Sequence, residues 1–111
     1  LCARADAYCL SECHMDDVQF KPDVHARIWP EAAQWRREGR LVKEVAKVQC
    51  PIVALHGAYD PHPLEGVRTP LKKAGVSCDL HVLEKCGHTP WHEKYAAHGF
   101  YSLLIKECTY I

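Results

Sequence analysis

The sequence predicts a mixed α/β protein in which two parallel strands alternate with helices. The continuous apolar run at residues 52–56, followed by Gly57, is typical of a strand buried on both faces of a parallel sheet. A helical pattern at 64–74 comes next, then a second strand at 78–83 and a helix at 91–108. Since a strand, a helix and a parallel strand cross over right-handed almost always, this order predicts a parallel sheet.

The first half of the chain predicts helices separated by proline and glycine. Residues 1–20 contain neither and form a weak helical pattern, with a thin stripe at Leu1, Ala5, Tyr8 and Glu12. Pro30 suits the first turn of a short helix at 31–38 that Gly39 ends. Residues 40–47 are amphipathic and predict a further helix or turn.

The second half has clearer boundaries. Pro63 begins the helix at 64–74 and Gly75 ends it, while Pro70 inside it predicts a bend or a division. Thr89 and Pro90 form a start signal for the last helix. Two strands make a poor sheet by themselves, so we expect this pattern to be one end of a larger α/β sheet.

Composition excludes several classes of protein. Among 111 residues, 48% are hydrophobic and 25% charged, which excludes intrinsic disorder, collagen and coiled coil. Fourteen basic residues balance fourteen acidic ones, so no global field favours nucleic acid or an anionic membrane. The longest mostly apolar uncharged stretch, 50–59, is about half the roughly twenty residues of a membrane-spanning helix.

The seven cysteines help to indicate in which cellular compartment the protein is found. Their number is odd and their density lies below the roughly 8–10% of a disulfide scaffold, which favours reduced thiols. No basic stretch followed by an apolar region marks a secretory signal at the N-terminus. We therefore expect a cytoplasmic protein. Because the sequence begins at Leu1, we also expect a fragment or a processed chain.

Two polar residues follow the two predicted strands. Asp60 lies in the loop after the first strand, and His88 lies in the loop after the second. Reactive groups of open α/β sheets lie just beyond the carboxyl ends of the strands, and neighbouring strands bring both loops to one edge. There a carboxylate can fix the imidazole tautomer while the other ring nitrogen acts as general base. Asp60 and His88 are therefore the candidate catalytic residues.

The segments CPIVALHGAYDPHP and LEKCGHTPWHE resemble the C-terminal part of α/β-hydrolase-fold proteins. In that family the acid follows one strand in a Gly-x-x-Asp turn and the histidine follows the next in a Gly-His loop, with the nucleophile earlier in the chain. The resemblance spans residues 29–108 and implies that Asp60 and His88 are two members of a triad. It assigns 1–48 to a helical cap with its return to the sheet, and 49–111 to the C-terminal βαβα segment.

One part of the family pattern is absent from the sequence. The Gly-x-Ser-x-Gly nucleophile turn does not occur, and the serines are Ser11, Ser77 and Ser102. Gly75-Val76-Ser77 lacks the second glycine and lies at a helix-to-strand junction. We therefore expect the intact parent to cleave an ester, amide or related bond of a small molecule, and this chain alone to be nearly inactive. No cofactor is implied.

Other readings remain open. Cys9, Cys13, His14 and His25 suggest a zinc site, although no Cys-x-x-Cys pair supports it. A non-catalytic structural or interaction fragment is a further alternative, with self-association through an exposed sheet edge. Cys86 is expected to be a buried residue with a packing role. The remaining histidines are expected to lie at the surface or to be satisfied in the core, namely His56, His62, His81, His92 and His98.

Overall fold

The computed structural model describes residues 5–11 and 19–109. These residues contain two strands, four α-helices and one short 3₁₀ helix, joined by loops. In chain order they are α1 (Pro22–Arg37), α2 (Arg40–Val45), β1 (Ile52–Gly57), α3 (Glu65–Lys73), β2 (Cys78–Leu83), the 3₁₀ helix (Pro90–His92) and α4 (Ala97–Cys108). The mixed α/β class predicted from the sequence is confirmed.

The two strands pair in parallel, as the sequence predicts. Their register runs from Ile52 opposite Cys78 to Gly57 opposite Leu83. Parallel strands need a crossover connection, and α3 supplies it. Both carboxyl ends consequently lie at one edge of the sheet, with the loops after β1 and β2 side by side. Below, residues 58–63 are called the acid loop and residues 84–89 the histidine loop.

The first long helix begins earlier than the sequence predicts. α1 starts at Pro22 and continues through Pro30, so the expected start at residue 31 is wrong. Pro30 has no N–H to bond the carbonyl of Ala26, but Ala26 is exposed and water can serve that carbonyl instead. The predicted end is confirmed, since Gly39 adopts the left-handed conformation at φ 65°. α2 then follows directly, as expected.

Pro70 lies within α3 without dividing it. The helix is continuous from Glu65 to Lys73, so the expected division does not occur. Proline removes one backbone hydrogen bond, which the carbonyl of Gly66 would otherwise accept. The ladder resumes after it, where the Ala74 N–H donates to the Pro70 carbonyl at 2.9 Å.

The helix predicted at 1–20 is wrong for the residues that the structure describes. Residues 6–11 are not helical, and Leu10 forms an isolated antiparallel bridge with Glu93. Residues 1–4 and 12–18 lie outside the described part of the chain. The segment 5–11 instead contacts the histidine loop, where the His88 N–H donates to the Asp6 carbonyl at 2.8 Å.

The helix predicted at 91–108 is shorter than expected. The 3₁₀ helix occupies Pro90–His92, and α4 begins only at Ala97. Between them Glu93 takes an extended conformation at the bridge to Leu10. The helical pattern of residues 91–108 is therefore interrupted at Glu93, whose side chain contacts Tyr8 and Cys9 far away in the sequence.

The best-buried residues lie beneath the two loops rather than between sheet and helices. Among the described residues these are Gly57, Cys86, Gly87, Pro90, Glu93 and Ala96. Residues 52–56 are all partly exposed, so the expected burial of β1 on both faces is not met within the described chain. The radius of gyration, 15.8 Å, exceeds the about 13 Å typical of a compact domain of about 100 residues. Apolar side chains remain exposed on β2 at Val82 and on α4 at Leu104 and Ile105.

No helix within residues 5–11 and 19–109 has both the length and the apolarity that a membrane span requires.

Candidate functional site

Backbone hydrogen bonds fasten the acid loop to the histidine loop. The Ala58 N–H donates to the Leu83 carbonyl at 2.9 Å, and the Tyr59 N–H donates to the Cys86 carbonyl at 2.8 Å. A third bond closes the turn, from the Asp60 N–H to the Gly57 carbonyl at 3.1 Å. These bonds extend the pairing of β1 and β2 beyond the strands, so the position of Asp60 is set by backbone contacts.

Two glycines allow the loops to approach so closely. A Cβ on Gly57 would overlap the backbone carbonyls of Cys86 and Gly87. A Cβ on Gly87 would overlap the Asp6 carbonyl and the Cα of Ala7. Neither glycine has a positive φ, so the requirement is for space and not for a special backbone conformation. The Gly-x-x-Asp and Gly-His patterns in the sequence therefore have a packing reason.

Glu93 organises the base of the site and was not identified from the sequence. Its side chain is fully buried. One carboxylate oxygen accepts the N–H groups of Gly87 and Tyr8, and the other accepts that of Cys9, each at 2.7 Å. Three charge-assisted hydrogen bonds satisfy this buried carboxylate and join residues 5–11 to the histidine loop. The sequence offered little signal, because its partners lie up to 85 residues away.

The structure brings the two predicted catalytic residues together. Asp60 Oδ2 accepts a hydrogen bond from His88 Nδ1 at 2.9 Å, across a sequence separation of 28 residues. The Asp60 side chain is 8% exposed, whereas that of His88 is 50% exposed. Within the part of the chain that the structure describes, Nε2 of His88 has no hydrogen-bond partner. A carboxylate thus holds one ring nitrogen while the other is open to solvent.

Opposing effects act on the Asp60 carboxyl. Burial by itself raises its pKa, because water no longer stabilises the charge. Hydrogen bonds from the His88 ring, the His62 backbone N–H and the His62 ring outweigh burial and leave the pKa lower than usual. Asp60 is therefore ionised at neutral pH and able to stabilise a protonated imidazole.

Two further histidines lie close to Asp60, namely His62, which is at the surface, and His56, which is largely buried and hydrogen-bonded, as expected of them. Asp60 Oδ1 accepts the His62 backbone N–H at 2.8 Å, and His62 Nδ1 lies 2.9 Å from the same oxygen. His56 Nε2 lies 3.9 Å from Asp60 Oδ2. The order Asp60-Pro61-His62 could have predicted the backbone contact, because an aspartate side chain commonly accepts the N–H of the residue two positions later in a turn.

Cys86 is buried, as the sequence predicts, and it is chemically protected. Burial, followed by the nearby carboxylates of Glu93 and Asp60, raises the pKa of the Cys86 thiol to about 11. The thiolate form is the nucleophile, so this cysteine is a poor candidate for attack on a substrate at neutral pH.

The serines of the chain do not occupy the nucleophile position. Ser77 precedes β2, whereas Asp60 and His88 follow the carboxyl ends of the strands, so the length of a six-residue strand, about 20 Å, separates them. Ser11 Oγ donates to the His92 carbonyl, and Ser102 is exposed on α4. None of these described serines is hydrogen-bonded to His88.

Metal-ligating side chains converge at one place among the described residues. Ligand atoms of Asp60, His62 and His88 all lie within 4.8 Å of one another. Of the expected zinc ligands, Cys9 and His25 are not part of this group, and Cys13 and His14 lie outside the described residues. The Cys/His zinc site thus receives no geometric support from the described residues.

The chain was compared with family models, with curated proteins and with solved structures, and none of the three comparisons finds a match.

Proposed function

We propose that this chain is the C-terminal segment of an α/β-hydrolase, in which Asp60 and His88 are the acid and the histidine of a nucleophile-His-acid triad. The observation that carries the proposal is the 2.9 Å contact between Asp60 Oδ2 and His88 Nδ1. In such triads the acid holds Nδ1 and leaves Nε2 to remove the nucleophile's proton. The half-exposed His88 ring fits these roles, because its Nδ1 contacts Asp60 and its Nε2 has no partner among the described residues.

The chemistry expected of the pair is general acid–base catalysis. Nε2 of His88 takes the proton of an attacking hydroxyl, and the ionised Asp60 stabilises the imidazolium that forms. His88 then returns the proton to the leaving group. The substrate is a small, partly apolar molecule with an ester, amide or related bond, and neither nucleic acid nor a membrane is part of the proposal.

The nucleophile and the oxyanion donors come, in this proposal, from chain that the present sequence does not contain. The uncovered apolar surface supports this view, since Val82 in β2 is 44% exposed and Ile105 in α4 is 61% exposed. Further strands and helices packed against these residues would complete the sheet. The contact of residues 5–11 with Gly87 and His88 supports assigning residues 1–48 to a cap beside the pocket.

The proposed compartment is the cytoplasm. The cysteines that the structure describes are free thiols, namely Cys9, Cys50, Cys78, Cys86 and Cys108. Free thiols are usual in a reducing compartment.

The test compares the 111-residue chain with the protein extended by the residues encoded before Leu1. We expect the short chain to give no turnover of an activated aryl ester and no labelling by a fluorophosphonate, while the extended protein gives both. In the extended protein, His88→Ala should lower kcat on the order of 10⁴–10⁶-fold. The matched control is His98→Ala, an exposed histidine of α4 that should leave kcat unchanged. Labelling of the short chain at Ser77, or full activity of His88→Ala, contradicts the proposal.

A further inference from the structure

The rings of His62 and His88 both direct Nδ1 toward the carboxylate of Asp60. Each nitrogen lies 2.9 Å from a different carboxylate oxygen, and the two ring centroids are 4.6 Å apart. Two imidazole nitrogens and one carboxylate oxygen within 4.8 Å of one another form a three-ligand set. This set matches the nitrogen and oxygen ligands that Zn²⁺ takes in proteins.

A fourth nitrogen lies beside the set. His56 Nε2 is 3.9 Å from Asp60 Oδ2, and its side chain is 11% exposed. Nδ1 of the same ring lies 2.9 Å from the Gly57 carbonyl, which fixes the proton on Nδ1 and leaves the lone pair of Nε2 facing the cluster. A histidine held through its other nitrogen by a backbone carbonyl is typical of metal ligands.

We propose that Asp60, His62 and His88 bind one Zn²⁺ ion, with His56 able to serve as the fourth ligand. The site is held by fixed backbone. His62 lies between two prolines that restrict its backbone, and Asp60 is bonded to the neighbouring turn. The His62 side chain is 67% exposed, which gives the ion a path from solvent. Harder cations such as Ca²⁺ and Mg²⁺ prefer sets made of oxygen ligands and should bind poorly.

Zinc binding changes the tautomer of both rings. In the metal-free site each neutral ring carries its proton on Nδ1 and donates it to Asp60. Coordination through Nδ1 moves that proton to Nε2, so a neutral ring changes tautomer without a net loss of protons. His88 Nε2 then carries a proton and cannot act as a base. If the proposed hydrolytic function holds, zinc therefore inhibits it; the zinc site itself stands independently of that function.

The experiment uses the 111-residue chain and no catalytic assay, so its outcome is separate from that of the proposed function. Metal-free protein is titrated with ZnCl₂ by isothermal calorimetry at pH 7.5, with MgCl₂ and CaCl₂ in parallel. We expect saturable binding of about one Zn²⁺ per chain and no saturable binding of the other two ions. His62→Gln should weaken zinc binding by at least tenfold, because ligand and supporting-shell losses have effects of 10–100-fold or more. His98→Gln, which changes an exposed histidine away from the cluster, should not.

A second measurement locates the ion. Histidine side-chain ¹H–¹⁵N spectra should show Nδ1 coordination and an Nε2–H tautomer for His62 and His88, and no change for His98. Because His62 is exposed, His62→Gln should keep its fold, which circular dichroism verifies. Absence of zinc binding overturns the proposal, and the cluster is then hydrogen-bonded only. Binding that survives His62→Gln and His88→Gln but is lost in Cys9→Ser also overturns it, because the ion would then bind elsewhere.

Discussion

Glu93 Oε1 accepts the backbone N–H of Gly87 at 2.7 Å, and this contact holds the histidine loop against the Glu93 side chain. The same carboxylate accepts the N–H groups of Tyr8 and Cys9, so one fully buried side chain satisfies three backbone donors. His88 is the residue after Gly87. The position of the candidate base therefore depends on a glutamate that lies beneath it.

The first prediction concerns Glu93. Glu93→Ala removes the acceptor of three N–H groups, of which that of Gly87 is buried and those of Tyr8 and Cys9 are partly buried. A buried N–H group left unsatisfied costs about 1–3 kcal/mol and water can partly serve the other two, so we expect the free energy of unfolding to fall by about 2–4 kcal/mol. Glu93→Gln keeps the shape but offers one acceptor oxygen, and should cost about 1–3 kcal/mol. Urea denaturation measures both variants.

The matched control is Glu84→Gln, which changes an exposed glutamate of the turn after β2. It should alter the free energy of unfolding by less than about 0.5 kcal/mol. Amide hydrogen exchange adds a local readout, since protection at Tyr8, Cys9 and Gly87 should fall in Glu93→Gln. Unchanged protection at these three amides would show that the carboxylate does not hold them.

The second prediction concerns the glycines that let the loops meet. Gly57→Ala places a methyl group against the backbone of residues 86 and 87, and Gly87→Ala places one against Asp6 and Ala7. Backbone cannot move aside as a flexible side chain does, so we expect both variants to separate the loops. The NMR signal of the proton between His88 Nδ1 and Asp60 should broaden or vanish.

Gly66→Ala is the control for this pair, because a Cβ at Gly66 meets no atom within 4 Å and the residue lies in α3. Alanine is the better helix former, so this variant should be more stable by about 0.5–1 kcal/mol and keep the His88 signal. A retained signal in Gly57→Ala and Gly87→Ala would refute the close-approach argument.

The third prediction is a dependence of stability on pH. Asp60 has a pKa in the folded protein below its unfolded value, so the unfolded chain binds a proton first as the pH falls. The stability that Asp60 contributes is complete above the unfolded pKa of about 3.9, and it is lost as the pH falls through the lower folded pKa. Urea denaturation between pH 6 and pH 3 should show this loss.

Asp60→Asn should make the free energy of unfolding less dependent on pH in that window. The comparison is Asp23→Asn, which replaces an exposed carboxylate in the first turn of α1 and should keep the wild-type slope. Equal slopes for wild type and Asp60→Asn would indicate that the hydrogen bonds from His62 and His88 do not favour the ionised carboxylate.

The fourth prediction concerns thiol reactivity. With a pKa of about 11, Cys86 is almost entirely protonated at pH 8, and it is buried. An ordinary thiol has a pKa of about 8.5, so ionisation alone should slow the alkylation of Cys86 on the order of a hundredfold. Mass spectrometry after iodoacetamide treatment should find Cys50 and Cys108, which are exposed, modified first. Modification of Cys86 should require urea; equal rates in native protein would contradict its burial.

Local patterns and a general rule of parallel sheets predicted the strands and the meeting of their loops, whereas individual side-chain contacts with distant residues were missed. The second strand has the predicted bounds 78–83. The rule that reactive groups follow strand ends correctly predicted that Asp60 and His88 lie close together. The helix expected from residue 91 fails at Glu93, whose partners include Tyr8 and Cys9. Nothing in residues 91–96 alone carries that information.

Pro30 illustrates a second reason for failure, and His62 illustrates a contact that the sequence left open. Proline usually begins a helix, but the exposed carbonyl of Ala26 can bond water, so α1 tolerates Pro30 in its interior. A histidine considered alone indicates little about its role. Only the fold shows that His62 and His56 lie beside the Asp60 carboxylate that also contacts His88.

The last prediction is that the 111-residue chain self-associates. The described sheet has only β1 and β2, so each strand has one edge without a neighbour in the described residues, and unpaired edges are templates for pairing with another chain. Sedimentation velocity should show an average mass that rises with protein concentration. Val82→Lys places a charge on β2 and should reduce this rise, since edge lysines oppose strand pairing. Val48→Lys changes a valine of similar exposure outside the sheet, 41% against 44%, and should not. A monomer at all concentrations with a high, cooperative melting transition would mean that the two-stranded sheet is complete as it stands, and would remove the main support for a larger sheet.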